Sequence, residues 1–137
     1  MSNPKQVNNA LYQATIQIGA SRLKQVAWYY INIIFLKSCV LPISSLKVSL
    51  LRMFGAKIGN GVIIKPAVNI KYPWKLSVGN NSWIGEEVWI DNLSDVTIGN
   101  NVTVSQGALL LTGSHDHTKE TFDFISNPII LENGVWV

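Results

Sequence analysis

Aliphatic residues return along the middle of the chain every six positions, with two steps of eight. Units of six, six and eight give a period of twenty, and the similar phrases Ile58-Gly59-Asn60, Val78-Gly79-Asn80 and Ile98-Gly99-Asn100 open three successive periods. A fixed period built on six-residue units is typical of a parallel β-helix. The nine recurring positions are all aliphatic, and eight are β-branched: Ile58, Ile64, Ile70, Val78, Ile84, Ile90, Ile98, Val104 and Leu110.

Each six-residue unit is expected to form one short strand and one corner. Stacked coils bring equivalent aliphatic side chains into inward columns, and each one buried removes apolar surface worth roughly 2 kcal/mol. The corners carry Asn60-Gly61, Asn80-Asn81 and Asn100-Asn101, residue types that tolerate positive φ. Asn-Gly also occurs in β-hairpins, but hairpin strands alternate at period two and share no twenty-residue phase. The pattern therefore predicts a three-sided prism.

A longer apolar stretch precedes the repeat. Ser21 is placed to cap a helix that continues through Lys37. From Val26 to Leu36 only Asn32 interrupts the apolar run, so most sides of this helix must be covered. The run is shorter than the roughly 20 residues that span a bilayer. Two interpretations stay open: burial in the protein or its oligomer, or a peripheral membrane contact through residues 21–47.

A second, shorter helix is predicted from Leu46 to Phe54. Ser44 or Ser45 is placed to cap it, and Gly55 to end it. Its spacing puts four apolar residues on the face expected to turn inward: Leu46, Leu50, Leu51 and Phe54.

The six-residue rhythm stops after Leu110. Residues 111–127 form a polar insertion, and the rhythm resumes with Pro128-Ile129-Ile130. A long insertion in a regular solenoid usually carries function. The repeat then ends at Val137 in the middle of a coil, so we expect a β-helix that is truncated at its C-terminal end.

These patterns divide the chain into a helical segment, 1–57, and a β-helix, 58–137, that differ in charge. The first holds seven Lys and Arg without an acid, whereas the second holds four Lys and eight acids. A basic, apolar segment on an acidic body favours an anionic membrane surface over nucleic acid as a partner.

Composition and the N-terminal sequence indicate the cellular compartment in which the protein is expected. The apolar fraction of 47% is enough for a core, and the N-terminus lacks the pattern of a signal peptide. The single cysteine, Cys39, forms no disulfide framework and is expected to be a small buried hydrophobe. We therefore expect a cytoplasmic protein that works at the inner face of the membrane.

Both histidines lie in the insertion, at His115 and His117. Histidine suits general acid–base chemistry near neutral pH, since its reference pKa is about 6.5. One histidine with nearby backbone N–H groups is sufficient for acyl transfer to a hydroxyl: the base removes the hydroxyl proton, and an N–H stabilises the oxyanion. Spacing alone leaves open that a loop histidine is an ordinary surface residue.

Several segments together resemble the hexapeptide-repeat acyltransferases, and within them the colanic acid biosynthesis acetyltransferases and their exopolysaccharide relatives. These are Leu111-Thr112-Gly113-Ser114-His115-Asp116, Pro128-Ile129, Gly134-Val135-Trp136-Val137, Leu51-Arg52-Met53-Phe54-Gly55-Ala56-Lys57-Ile58-Gly59 and Tyr72-Pro73-Trp74. The resemblance covers roughly residues 50–137. It implies an all-β fold, a left-handed parallel β-helix with an N-terminal α-helical segment, although the usual crossover rule is right-handed.

The resemblance also implies a function. A homotrimer would bind acetyl-coenzyme A between neighbouring prisms and acetylate a hydroxyl of a sugar or lipid-linked saccharide in cell-surface polysaccharide biosynthesis. His115 matches the catalytic base of the family, whereas at His117 the family more often has an aromatic residue. Trp136 matches a residue of the coenzyme groove, with packing under the insertion as its alternative.

Three further residues are candidates for binding the acceptor. Asp116 either orders the loop or contacts the acceptor. Asp91 and Asn92, one coil earlier, either hold the acceptor sugar or form a polar corner.

Two other functions fit parts of the pattern. A non-catalytic scaffold would fit a prism that lacks its later coils. A γ-type carbonic anhydrase uses the same prism but requires three histidines around zinc, and the chain has two, both in one loop. We therefore expect no metal and favour the acetyltransferase.

Overall fold

Three parallel sheets wrap around one axis in the computed structural model, which describes residues 6–137. The first five residues of the 1–57 segment lie outside the described part of the chain. The chain visits the sheets in turn, so each coil contributes one strand to each. The first sheet contains β1 (Lys57–Ile58), β4 (Leu76–Val78), β7 (Val96–Ile98) and β12 (Ile129–Leu131); the second β2 (Ile63–Ile64), β5 (Trp83–Ile84) and β8 (Thr103–Val104); the third β3 (Asn69–Ile70), β6 (Trp89–Asp91) and β9 (Leu109–Leu111).

The core of the prism consists of the predicted aliphatic columns. All nine recurring residues are buried, with exposed fractions between 0% and 8%. Equivalent residues pair in parallel register, such as Ile58 with Val78 and Val78 with Ile98. The eight-residue units add Leu76 and Val96 to the same core. The prediction of a three-sided prism is therefore confirmed.

The Asn residues of the repeated phrase form a ladder along one corner. The Oδ1 atom of Asn80 accepts from the Asn60 backbone N–H at 2.8 Å, and Asn100 does the same for Asn80. Asn133 continues the ladder by accepting from the Asn100 N–H at 2.7 Å. The residue after each of the first three asparagines of the ladder has the predicted positive φ: Gly61, Asn81 and Asn101. One side chain per coil thus satisfies the backbone of the coil before it.

The first helix packs one side against the prism. It comprises α1 (Arg22–Ile31) and a π-helical turn, Asn32–Leu36, and Ser21 caps it by accepting from the Lys24 N–H. The cap and extent therefore confirm the prediction. Trp28 is buried and donates its indole N–H to the carbonyl of Ile70 at 2.8 Å. The opposite side is apolar and exposed, with Leu23 81% accessible.

The second helix, α2 (Ser44–Met53), begins two residues earlier than predicted and turns a different face inward. Ser44 is not its cap: the Ser44 hydroxyl accepts from the Ile64 N–H at 2.8 Å and so fixes the rotation of the helix on the prism. That rotation buries Lys47, whose ammonium group donates to the carbonyl of Lys65, and leaves Leu46 exposed. The prediction is therefore wrong for Leu46, whereas Leu51 is buried and Phe54 packs against the core as expected. Gly55, at φ +100°, follows the helix end.

Cys39 is exposed, against the prediction of a buried hydrophobe. It lies in the bend between Leu36 and α2. This connection runs outside the prism, so no aliphatic column encloses the thiol.

The insertion forms an antiparallel hairpin of β10 (Gly113–His115) and β11 (Phe124–Ser126). The insertion lengthens one step of the asparagine ladder. Asn100 and Asn133 are 33 residues apart, whereas the earlier rungs are 20 residues apart. After it, β12 returns to the first sheet beside β7. The interruption and the resumption were predicted, whereas the two hairpin strands were not.

Candidate functional site

His115 is the last residue of β10 and lies directly across the hairpin from Phe124. Its half-buried imidazole is surrounded by aromatic rings. Phe122 stacks on it with a centroid separation of 4.4 Å and an interplanar angle of 3°. Tyr12 and Phe124 pack edge-on at 5.2 and 5.6 Å. The ring is thus held in one orientation by contacts on several sides.

The hydrogen bond of His115 determines which ring nitrogen is free. Its Nδ1 lies 3.0 Å from the carbonyl oxygen of Phe122. A carbonyl only accepts, so the proton is on Nδ1, and Nε2 of the neutral ring keeps a lone pair. Phe122 itself has a positive φ of 50°, which is uncommon for a bulky residue. The turn thus holds a strained conformation that presents its carbonyl to the histidine.

Asp116 orders the turn of the hairpin. One carboxylate oxygen, Oδ1, accepts from both the N–H and the hydroxyl of Thr118, at 3.0 and 2.6 Å. These hydrogen bonds lower the pKa of Asp116 below its ordinary value. Lys119 and Thr121 hold Asp123 in the same way, at 2.8 and 2.6 Å, and lower the pKa of its carboxyl. The turn next to His115 is thus built from two hydrogen-bonded carboxylates.

Asp91 and Asn92 lie at the base of the hairpin but are buried. Asp91 is paired with Lys71, whose Nζ lies 2.7 Å from Oδ1, and its backbone carbonyl accepts from the Thr112 hydroxyl. The amide of Asn92 donates to the Tyr72 carbonyl at 2.7 Å and accepts from the Tyr72 N–H at 2.9 Å. These contacts provide a structural role for both residues, and acceptor binding by either stays a prediction.

Trp136 lies on the second sheet, away from the hairpin. It pairs with Thr103 through a parallel bridge, donates to the Ser105 hydroxyl at 2.7 Å and is 79% exposed. With Trp83 and Lys65 it lines a groove of about 400 Å³. This groove offers flat apolar surfaces beside one cation, Lys65, and one acid, Glu86. It shares no lining residue with a second groove that lies beside the hairpin.

That second groove separates the N-terminal segment from the hairpin and measures about 550 Å³. Phe124 and Ser126 line it and lie on the same face of the hairpin as His115, because alternate residues of a strand share a face. The remaining lining is mainly hydroxyl, amide and backbone, with one ammonium group: Thr15, Ile16, Gln17, Gly19, Lys75, Leu93 and Ser94. Such a lining suits a ligand rich in hydroxyl groups.

No family model matches the chain, but individual proteins are similar to it in sequence. The chain is 36% identical over 119 residues to the colanic acid biosynthesis acetyltransferase WcaF of Escherichia coli K12, an assignment that its name marks as provisional, and to the protein of that name in Shigella flexneri. A galactoside O-acetyltransferase of E. coli K12 is 28% identical over 92 residues. The chain is therefore similar in sequence to proteins named as acetyltransferases.

A solved structure supports this relationship at the level of the fold. The crystal structure of a hexapeptide-repeat containing acetyltransferase from Vibrio cholerae matches with a TM-score of 0.72 at 17% identity, over 86% of this chain and 68% of that one. The predicted fold class, a left-handed parallel β-helix with an N-terminal helical segment, is thereby confirmed.

The sequence alignments cover different shares of the relatives. With WcaF, 87% of this chain aligns with 65% of the relative, and with the galactoside O-acetyltransferase 65% aligns with 45%. The chain thus spans less than two thirds of the length of these curated relatives.

Residues 6–137 contain neither a helix that could span a membrane nor a cluster of side chains that could hold a metal ion. None of the helices there combines the length and hydropathy needed to cross a bilayer. Nor does this part of the chain bring three His, Cys, Asp or Glu side chains close enough together to hold a metal ion.

Two residues at the site were missed by sequence analysis. Tyr12 lies in a polar N-terminal stretch without periodicity, and it reaches His115 from the other end of the chain. Phe122 acts through its backbone carbonyl and its ring, and its positive φ is visible only in the folded turn. No spacing or motif in the sequence predicts such contacts.

Proposed function

We propose that this chain transfers an acetyl group from acetyl-coenzyme A to a sugar hydroxyl in the biosynthesis of a cell-surface polysaccharide, with His115 as general base. The observation that carries the proposal is the hydrogen bond between His115 Nδ1 and the Phe122 carbonyl, which leaves Nε2 able to accept a proton. The names of the relatives, acetyltransferases of colanic acid biosynthesis and of galactosides, support the choice of reaction and acceptor.

In the proposed reaction, Nε2 of His115 removes the proton of the acceptor hydroxyl while its oxygen attacks the thioester carbonyl. The carbon–oxygen bond forms, and the carbon–sulfur bond then breaks. The imidazolium returns its proton to the departing thiolate, so the products are the acetylated sugar and coenzyme A. The Phe122 carbonyl keeps the ring in place by accepting a hydrogen bond from Nδ1–H throughout, which also stabilises the transient positive charge.

We assign the acceptor to the groove between the N-terminal segment and the hairpin. It adjoins the face of the hairpin that carries His115, and hydroxyl groups of Thr15, Ser94 and Ser126 line it. Hydroxyl and amide groups bind sugars through hydrogen bonds in which each partner both donates and accepts.

We assign coenzyme A to the groove of Trp136, Trp83 and Lys65. Aromatic faces suit the adenine and pantetheine portions, and the ammonium group of Lys65 suits a phosphate. Within one chain this groove and the hairpin are separate. A homotrimer, in which Trp136 of one copy approaches His115 of the next, would bring donor and base together, and this separation is our reason for proposing it.

The test is release of coenzyme A from acetyl-coenzyme A in the presence of a galactoside. Replacing His115 by Ala should lower kcat by about 100- to 10,000-fold, since that is the usual contribution of a general base. His117→Ala is the matched control, because this neighbour is exposed and makes no side-chain hydrogen bond in the described structure. Unchanged turnover in the His115 variant would remove His115 from the mechanism.

A further inference from the structure

Residues 8–18, which precede α1, run along the hairpin and are attached at both ends. At one end the Asn8 N–H donates to the Glu120 carbonyl, in the hairpin turn, at 2.9 Å. At the other, the indole of Trp74 donates to the Ile18 carbonyl at 2.8 Å and the ammonium group of Lys75 to that of Gln17 at 2.7 Å. We call residues 8–18 the strap, since they link the hairpin turn to a corner of the prism.

Tyr12 lies between these attachments and packs against His115. The ring centroids are 5.2 Å apart with an interplanar angle of 68°, the edge-to-face arrangement that aromatic pairs prefer. Tyr12 is half-buried, and no hydrogen bond of its hydroxyl is found within residues 6–137. Its contact with the histidine is therefore made by the ring.

The other two rings around His115, those of Phe122 and Phe124, belong to the hairpin itself. They move with the hairpin and cannot hold it relative to the prism. Among the described rings in contact with His115, Tyr12 alone comes from outside the hairpin. It thus links the orientation of the imidazole to the strap, which is fixed on the prism through Trp74 and Lys75.

We infer that Tyr12 is a positioning residue for the proposed reaction: its ring, held by the strap, keeps His115 in the orientation that presents Nε2 to the acceptor. The inference rests on the proposed function for its catalytic consequence but not for its structural one. Small displacements of a reacting group lower rates steeply, because a shift of about 1 Å can cost about 100-fold.

The experiment compares Tyr12→Ala, Tyr12→Leu and Tyr12→Phe with Gln13→Ala, an exposed neighbour on the strap. Losing the ring should lower kcat by about 10- to 100-fold and leave the KM for acetyl-coenzyme A unchanged, since Tyr12 does not line the groove of Trp136. Tyr12→Phe keeps the ring and should retain activity within about twofold, since no hydroxyl contact is lost. Leu keeps most of the bulk and guards against a folding defect in the Ala variant.

A second measurement does not depend on turnover. In the nitrogen-15 spectrum of the His115 ring, the wild type should show a single neutral tautomer with the proton on Nδ1, as the Phe122 carbonyl requires. Tyr12→Ala and Tyr12→Leu should show exchange between tautomers, and Tyr12→Phe and Gln13→Ala should not.

The two measurements separate the possible failures. Wild-type protein without acetyl transfer would refute the proposed function, and the ring spectra would still decide whether Tyr12 positions His115. An unchanged His115 spectrum in both Tyr12→Ala and Tyr12→Leu would overturn the inference. Equal losses in Tyr12→Phe and Tyr12→Ala would also overturn it, since the hydroxyl and not the ring would then be responsible.

Discussion

At the scale of single residues, the hairpin turn depends on carboxylates that are ionised. Asp116 receives two hydrogen bonds from Thr118, and Asp123 receives one each from Lys119 and Thr121. These bonds favour the charged forms, so the pKa of each carboxyl is lowered in the folded hairpin. A group with a depressed folded pKa stabilises the fold above its unfolded pKa, and this contribution is lost as the pH falls through the folded value.

We therefore predict that the turn stays ordered at neutral pH and loosens only below about pH 4, where an ordinary Asp carboxyl takes up its proton. The carboxyl carbon of Asp116, followed by NMR, should titrate below the ordinary value of 3.8. Thr118→Val removes the hydroxyl donor and should raise this midpoint. Thr121→Val is the matched control, since its hydroxyl contacts Asp123 instead. If the titration midpoint of Asp116 were the same in Thr118→Val as in the wild type, the hydrogen bond from the Thr118 hydroxyl would be absent in solution.

Sequence reasoning at this scale found residues that carry a motif and missed those defined by contact. Spacing alone left His115 open as an ordinary surface residue, and the resemblance of the segment 111–116 to a family motif made it the candidate base, a role that stays a prediction. Asn92 looked equally polar in the sequence, yet its amide is buried on the Tyr72 backbone. Tyr12 had no pattern at all. Burial and distant contacts depend on the path of the whole chain, which local spacing does not record.

At the scale of the coil, glycine allows neighbouring turns of the prism to approach. A Cβ atom on Gly79 would lie 2.6 Å from the backbone carbonyl carbon and oxygen of Gly99 in the next coil. Backbone atoms cannot move aside without displacing the ladder of Asn80 and Asn100, which joins the same coils. The repeated Gly of the Ile-Gly-Asn phrase therefore has a steric cause.

We predict that Gly79→Ala lowers the free energy of unfolding by about 3 kcal/mol, at the upper end of the usual cost of overpacking. Gly107→Ala is the control. It has a positive φ of 72° but nothing within 4 Å of an added Cβ, and Ala67 occupies the equivalent corner two coils earlier at φ 59°. Its cost should stay near 1 kcal/mol. Urea unfolding of both variants measures the difference, and equal losses would mean that the backbone contact is not limiting.

The elements differ in how far the sequence predicts them. Strands of the prism are specified by a repeat whose phase persists over many residues, so the prediction averages over nine aliphatic positions. Helix α2 can turn either of two overlapping faces toward the prism: the predicted one, which contains Leu46 and Leu51, or the observed one, which buries Val48 and Leu51. The hydroxyl of Ser44 decides between them by bonding to Ile64, and that contact joins segments whose relation no periodicity describes.

At the scale of the whole molecule, one surface combines exposed apolar side chains with basic ones. The outer side of α1 and of the π-helical turn that continues it presents Leu23, Tyr29 and Ile34, exposed by 81%, 61% and 57%. Arg22 in its first turn and Lys37 at the end of the π-helical turn are exposed, and residues 1–57 hold no acid. An amphipathic helix with cationic residues beside its apolar face favours an interface that contains anionic lipids. A lipid-linked saccharide acceptor would be reached from such a position.

We predict that the protein sediments with vesicles containing phosphatidylglycerol but not with vesicles of phosphatidylcholine alone. Raising the salt should weaken binding, because the Debye length falls from about 10 Å at 0.1 M to about 3 Å at 1 M. The double variant Leu23→Ser, Ile34→Ser should bind at least about tenfold more weakly, since burying each apolar side chain contributes roughly 1.5–3 kcal/mol.

Met53→Ser is the matched control for this surface, because Met53 is equally apolar and 73% exposed but lies on α2. If Met53→Ser weakened binding as much as the α1 variant, the contact would be non-specific and α1 would not be the membrane surface. A different result would be that the wild type does not bind anionic vesicles and that light scattering shows an oligomer which the double variant dissociates. Another copy of the chain would then cover this face. The helix would then contribute to assembly, and the acceptor would have to reach the hairpin from solution.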